Sequence, residues 1–153
     1  MIREGLDIRR KALGDQNPGV AESLGNLGTV IQSRGDAAGS ERYFREALTI
    51  WQQRAGPDHP NTLVAENNLA LCLLDQARFA DAEPILKRVY EARLRVLGDA
   101  HPETAVGANN LAGMLERIGR DVEAEALFRR ALATNRAALG DAHGFGQQVG
   151  RVD

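Results

Sequence analysis

Apolar positions along this chain recur at helical spacing. From Pro60 to about Ala77, Leu63, Leu69, Leu73 and Leu74 fall on one side of a helix, with Ala70 beside them. A second helix is predicted over 79–97, where Leu86, Val89, Tyr90 and Leu94 stand at i, i+3, i+4 and i+8. Phe44, Ala47, Leu48 and Trp51 make the matching stripe earlier in the chain, and Phe128, Ala131 and Leu132 make it later. Between the two helices of each pair a break is expected, at Gly35, Ala77 and Gly119.

The stripes recur because the sequence repeats itself every 42 residues. GDQNPGVAESLGNLG (Gly14 to Gly28), GPDHPNTLVAENNLA (Gly56 to Ala70) and GDAHPETAVGANNLA (Gly98 to Ala112) are three copies of one phrase. In each, a glycine closes one helix in a left-handed turn and a proline soon after opens the next. A fixed period in the range of about 20 to 50 residues is the mark of a solenoid of stacked units. Small residues recur at two places: Gly28, Ala70 and Ala112 on first helices, and Ser40, Ala82 and Ala124 on second helices. Those are the positions where paired backbones must approach closely.

The stretch NNLAGMLERIGRDVEAEALFRRAL, residues 109–132, resembles the tetratricopeptide repeat. The 42-residue period and the Gly-Asp-x-His-Pro lead-in make it similar to the kinesin light chain variety. The resemblance covers roughly residues 1–143 and departs from the aromatic-rich version at Leu24, Glu66 and Ala108, which stand at the tryptophan-type position. It implies an all-α, right-handed superhelical solenoid of antiparallel helix pairs, about seven helices in all, whose concave side is lined chiefly by the first helices. The expected organisation is a second helix of a partial repeat at 1–13 and repeats at 14–55, 56–97 and 98–139. Residues 140–153 then form a flexible tail or the truncated start of a further repeat, because Gly144 stands where the lead-in proline would be.

Composition narrows what such a fold could do. A net charge of −2 and a pI near 5.9 argue against nucleic acid, whose phosphates call for clustered, unopposed Lys and Arg. An RNA-reading helical repeat is a third reading, and the same acidic balance is its weakness. No run reaches the length of a membrane-spanning helix, and the first residues have no secretory h-region. One cysteine, Cys72, suits a reducing compartment, so a cytoplasmic protein is expected. Uncapped apolar edges at both ends raise end-to-end self-association.

Catalytic chemistry finds little support. GFGQQVG (Gly144 to Gly150) has the wrong spacing for a phosphate loop and no preceding strand. His59, His101 and His143 occupy equivalent loops, but stacked helices lie about 8–10 Å apart. Zinc needs its ligands at about 2.0–2.1 Å, so the three cannot share one ion. A turn-capping role suits them better. Cys72 has no histidine beside it and is expected to pack between first helices. No catalytic residue, metal site or cofactor is therefore assigned.

What remains is recognition. On a helical wheel the side of the first helices away from their partners carries Thr29 and Gln32 in the first unit. Asn67, Leu71, Leu74 and Asp75 carry it in the second, and Asn109, Glu116 and Arg117 in the third. Asparagine amides both donate and accept, which suits an extended peptide backbone; the kinesin light chain resemblance implies that use for first-helix asparagines. Asn26, Asn68 and Asn110 are expected instead to tie units together. With Arg117 the lone base, an acidic tail is a poor ligand, and a neutral or mildly basic segment anchored at Leu71 and Leu74 is expected. The chain is thus read as a non-enzymatic protein-interaction module or scaffold. The alternative is a structural or regulatory repeat segment of a larger multidomain protein. If the small positions set the helix spacing, Ala82→Leu costs about 1–3 kcal/mol by overpacking, measured by urea unfolding.

Overall fold

The computed structural model describes the backbone of residues 2–144 and the side chains of residues 4–137. Among them are seven helices and no strand: α1 (Ile2–Leu13), α2 (Pro18–Ser33), α3 (Ala37–Ala55), α4 (Pro60–Asp75), α5 (Phe79–Leu97), α6 (Pro102–Arg117) and α7 (Asp121–Gly144). None is long and apolar enough to cross a membrane. The chain divides inside α5 into two compact units, Met1–Val89 and Tyr90–Asp153.

Each helix starts and stops for a local reason. Proline is the first residue of α2, α4 and α6, where its missing amide costs nothing. The residue before it caps the helix. Asn17 Oδ1 accepts from the Gly19 amide at 2.8 Å, whereas His59 and His101 use Nδ1 to accept from Asn61 and Glu103 at 3.2 and 3.1 Å. The histidines thus do the turn-capping work expected of that loop; His143 lies outside the described side chains. A threonine in the second and third copies of the phrase closes the same turn from within. Thr62 Oγ1 donates to the Gly56 carbonyl at 2.7 Å and Thr104 Oγ1 to that of Gly98 at 2.8 Å. The glycines that begin the phrase, Gly14, Gly56 and Gly98, have φ of +83°, +90° and +85°.

The breaks between paired helices share one design. The residue just past each helix is left-handed: Gly35, Ala77 and Gly119. After α4 the Ala77 amide donates to Leu74 and the Arg78 amide to Leu73, at 3.0 and 2.9 Å. This doubly bonded C-cap satisfies carbonyls that the helix leaves open. The same pair of bonds forms after α6, from Gly119 to Glu116 and from Arg120 to Leu115.

In the first unit α1 packs on α2, α2 on α3 and α3 on α4. Leu6, Val20, Leu24, Leu27, Tyr43 and Ile50 form its core, with Ile31 and Trp51 against them. Helices α2 and α3 touch at Gly28, where an added Cβ would lie 2.7 Å from the Phe44 ring. Helices α3 and α4 meet at Ser40, whose Oγ sits 3.2 Å from Cys72 Sγ; that thiol also donates to the Ala37 carbonyl at 3.0 Å. Cys72 is therefore bonded to the start of α3 rather than merely packed between first helices. In the second unit α6 packs on α7, and Leu111, Ala112, Met114, Leu115, Ala124 and Ala131 of these two helices are buried.

Helix α7 departs from expectation. It runs through Gly140 to Gly144, past the end of the third repeat at 139, where a flexible tail or the truncated start of a further repeat is expected. Residues 145–153 lie outside the described part.

Ala77 (φ +56°) stands where its two counterparts are glycine, so its Cβ strains the left-handed turn. Ala77→Gly should raise stability by about 0.5–1 kcal/mol in urea unfolding, because relief of strain outweighs the entropy that glycine adds to the unfolded chain.

Candidate functional site

The first unit holds an open groove of about 350 Å³ between α2 and α4, with α3 beneath it. Glu22, Gly25, Asn26 and Thr29 line it from α2, and Asn61, Val64 and Asn68 from α4. Phe44, Ala47 and Trp51 of α3 form its floor. The groove exists because of what α2 lacks. Gly25 meets nothing within 4 Å of where a Cβ would be, and the opening lies in front of it. Trp51 is held from outside by His59, its ring stacked at 6.2 Å and 10° from parallel. The same imidazole caps α4, so the start of α4 and the groove floor share one residue.

Thr29 Oγ1 donates to the Gly25 carbonyl at 3.0 Å, but two of the groove's carboxamides are uncommitted. Among the described residues no side-chain hydrogen bond engages Asn26 or Asn68, although both were expected to tie units together. Glu22 is the only charged residue in the lining. The floor is aromatic and the rim amide-bearing, a combination that can bury one apolar side chain while pairing with a backbone.

The predicted site residues are not gathered into one place. Thr29 lines the groove. Gln32 Nε2 donates to Asp75 Oδ2 at 2.6 Å, so these two bind each other and tie the C-terminal ends of α2 and α4 together. Asn67 and Leu74 are buried, 9% and 6% exposed, and cannot anchor a ligand as expected. Their angle on the helical wheel does not show that the fold covers them. Leu71 is half-buried on α4, and Asn109 and Arg117 are exposed on α6. Glu116 belongs to a separate hollow beside α7, with Asp121 and Phe128. The sequence reading missed Trp51, Asn61 and Val64. Trp51 carried a signal, being the single tryptophan of the chain at a position where the next copies have Arg93 and Asn135.

Glu66, at the position where the family's pattern has an aromatic, is 5% exposed and is tied to α5. Arg88 donates to its Oε1 from Nε at 3.0 Å and from Nη2 at 2.9 Å, and reaches the Pro57 carbonyl at 2.7 Å. Gln52 adds a weak contact at 3.5 Å, and Oε2 is left without a partner. A charge network therefore fills the spot. Burial raises the Glu66 pKa above its ordinary 4.5, outweighing the pull of Arg88 and Gln52.

The tetratricopeptide repeat model matches residues 21–95 and 65–137. No curated protein matches the chain. Solved structures do. Two are of a kinesin light chain-type protein of Podosopora anserina with nearly identical TPR-like repeats, one of them a single-substitution variant. They are 20% and 19% identical, with TM-scores of 0.76 and 0.78, and cover 90% of this chain and 65% of theirs. BtubC (BKLC) of P. vanneervenii is 22% identical with a TM-score of 0.78, covering 99% of this chain and 56% of its own. The chain thus spans less than two thirds of the length of each. The likeness establishes the all-α solenoid fold of antiparallel helix pairs.

A carboxyl with a raised folded pKa ionises first in the unfolded chain. The folded state is then penalised progressively as pH rises from the ordinary value of 4.5 through the raised one, and the penalty is complete above it. Glu66→Gln has no such proton to lose. Its urea midpoint relative to the parent should therefore shift in the variant's favour as pH rises through that window. A difference that is constant with pH would contradict the assignment.

Proposed function

This chain belongs to the tetratricopeptide repeat family, and we propose that it is a non-enzymatic protein-interaction module whose ligand lies in the α2–α4 groove. Repeats of this family are in general protein-interaction modules. The observation that carries the present reading is an open groove in which Asn26 and Asn68 have no side-chain bond and Trp51 and Phe44 supply an apolar floor. The ligand is an extended protein segment, neutral or mildly basic. One apolar side chain rests on Trp51, Phe44 and Val64, and its backbone pairs with the two carboxamides. The lone acid, Glu22, favours a basic residue beside the anchor. The anchors are thus residues of the groove floor and wall, in place of Leu71 and Leu74. A cytoplasmic location fits a chain whose one cysteine is reduced and buried.

A second reading, a structural or regulatory segment of a larger protein, draws on a different observation. Gln32, Asn67, Leu74 and Asp75 are spent on contacts within the fold.

Because Trp51 is the only tryptophan, its fluorescence reports on the groove directly. Short extended peptides carrying one aromatic residue and differing in charge are titrated against the full chain. Neutral and basic members should bind and acidic ones should not. Asn26→Ala with Asn68→Ala should weaken binding by about tenfold or more. Gly25→Leu, which places bulk only in the opening, should abolish it with the fold unchanged. Equal binding by parent and Gly25→Leu would remove the groove from consideration and favour the second reading.

A further inference from the structure

His59 touches the α2–α4 groove at two points. Its ring stacks on Trp51 of the floor, with centroids 6.2 Å apart, and its Nδ1 accepts at 3.2 Å from the amide of Asn61, a residue of the α4 wall. Only an unprotonated Nδ1 can accept. The three lead-in turns share one extended backbone at this position, with ψ of 137°, 140° and 135° at Asn17, His59 and His101. Asn17 caps with a carboxamide oxygen, which accepts at any pH. The other two copies cap with the side chain that ordinarily changes charge between about pH 5 and 8. His101 has Arg93 at the place where His59 has Trp51. The rest of the second turn holds without the imidazole. Thr62 Oγ1 donates to the Gly56 carbonyl and Arg88 Nη2 to that of Pro57, both at 2.7 Å. His59 itself is exposed, so a proton reaches it without opening the fold.

We propose that His59 is a proton-operated latch on this groove: the neutral imidazole keeps it shaped for binding, and protonation releases the ligand. This regulation rests on the groove being the binding site. Protonation turns Nδ1 from acceptor into donor, so the Asn61 amide loses its cap. It also sets a positive charge at the positive end of the α4 dipole. Attraction of a cation to an indole face acts within about 6 Å of the ring centroid. At 6.2 Å it does not offset the lost cap and the adverse dipole. Floor and wall then lose the residue that joins them. A ligand that needs both in place favours the neutral form, and by linkage its binding expels the proton.

The charged groups around His59 come from every neighbouring element. Asp58 precedes it in the turn, and Arg88 of α5 reaches both Asp58 and Glu66 of α4, at 3.5 and 2.9 Å. Glu22 of α2 lines the same groove, and Arg54 of α3 is turned to the Gln16 carbonyl at 2.9 Å. Burial raises the Glu66 pKa above its ordinary 4.5, which makes Glu66 the competing source of an acid response.

Calorimetry on the full chain from about pH 8 to pH 5 tests the latch, with an end-capped neutral peptide carrying one phenylalanine as probe. The charge of that probe is constant over the range. Parent affinity should fall by about tenfold across it. His59→Asn, which installs the kind of cap Asn17 provides, should show one affinity at both ends. His101→Asn and Glu66→Gln should keep the parental loss. Without ligand, Trp51 emission and amide exchange at Asn61 should titrate in the parent and in Glu66→Gln, and stay flat in His59→Asn. Parent affinity indifferent to pH, a loss that survives His59→Asn, or one that vanishes in Glu66→Gln would overturn the latch. Absence of binding even at the alkaline end counts against the groove as binding site. The ligand-free titration then judges the latch alone, and a flat Trp51 signal in the parent overturns it.

Discussion

Close contact between helices, made possible by residues that have almost no side chain, sets the spacing on which the rest of this structure depends. At Gly28 the Phe44 ring occupies the volume a Cβ would need. At Ser40 the approach of α3 to α4 is tight enough for a hydroxyl to reach the Cys72 thiol. Ala70, Ala82, Ala112 and Ala124 hold the corresponding places in the later units, and all are buried. Interiors packed like organic crystals cannot absorb extra volume there without moving a helix. The groove inherits this constraint: its width is the distance between α2 and α4, and both are set by how closely they lie on α3.

The turns solve a second problem, the unpaired amides and carbonyls at the twelve helix ends that the six turns join among the described residues. Three devices recur: a side-chain cap before proline, a left-handed residue after the first helix of a pair, and a threonine hydroxyl on the lead-in glycine carbonyl. Their chemistry varies from copy to copy while their geometry does not. Asparagine caps α2 and histidine caps α4 and α6. Valine at position 20 is fully buried where Thr62 and Thr104 make hydrogen bonds. Apolar packing and hydrogen bonding are interchangeable at that site, since either one satisfies or displaces what water would otherwise contact.

Periodicity made the fold legible. Proline fixes the starts of α2, α4 and α6, and glycine the breaks after α2 and α6, because their backbone restrictions are local, and the 79–97 helix follows from its apolar stripe. The candidate site was harder to read. A helical wheel gives the direction of a side chain about its own axis and says nothing of which neighbour stands there, so Asn67 and Leu74 were placed in the open although they are buried. The bond from Gln32 to Asp75 joins residues 43 apart and depends on the stacking of two first helices, which no local pattern encodes. Helix α7 passing through Gly140 shows the opposite limit. The phrase that ends α1, α3 and α5 does so with a proline following, and in the fourth copy that proline is missing.

The copies differ in surface chemistry where the repeat is broken, and what recurs in every copy is free to serve stacking. Position 51 is the clearest case. Trp51 floors an open groove, whereas Arg93, one period later, is 4% exposed and bound to Glu103 through its carboxylate at 2.9 Å and its carbonyl at 3.2 Å. Burial lowers the pKa of Arg93, and Glu103 pulls the other way. Equivalent backbone positions thus provide a hydrophobic platform in one copy and a structural ion pair in the next. Glu66 and Gly25 follow the same logic, one filling an aromatic position with a charge network and the other leaving an opening where α4 places Asn67. A solenoid lets such departures accumulate, since each unit needs only its neighbours' small residues to stay in place. Selection can then alter one groove without disturbing the packing that holds the others.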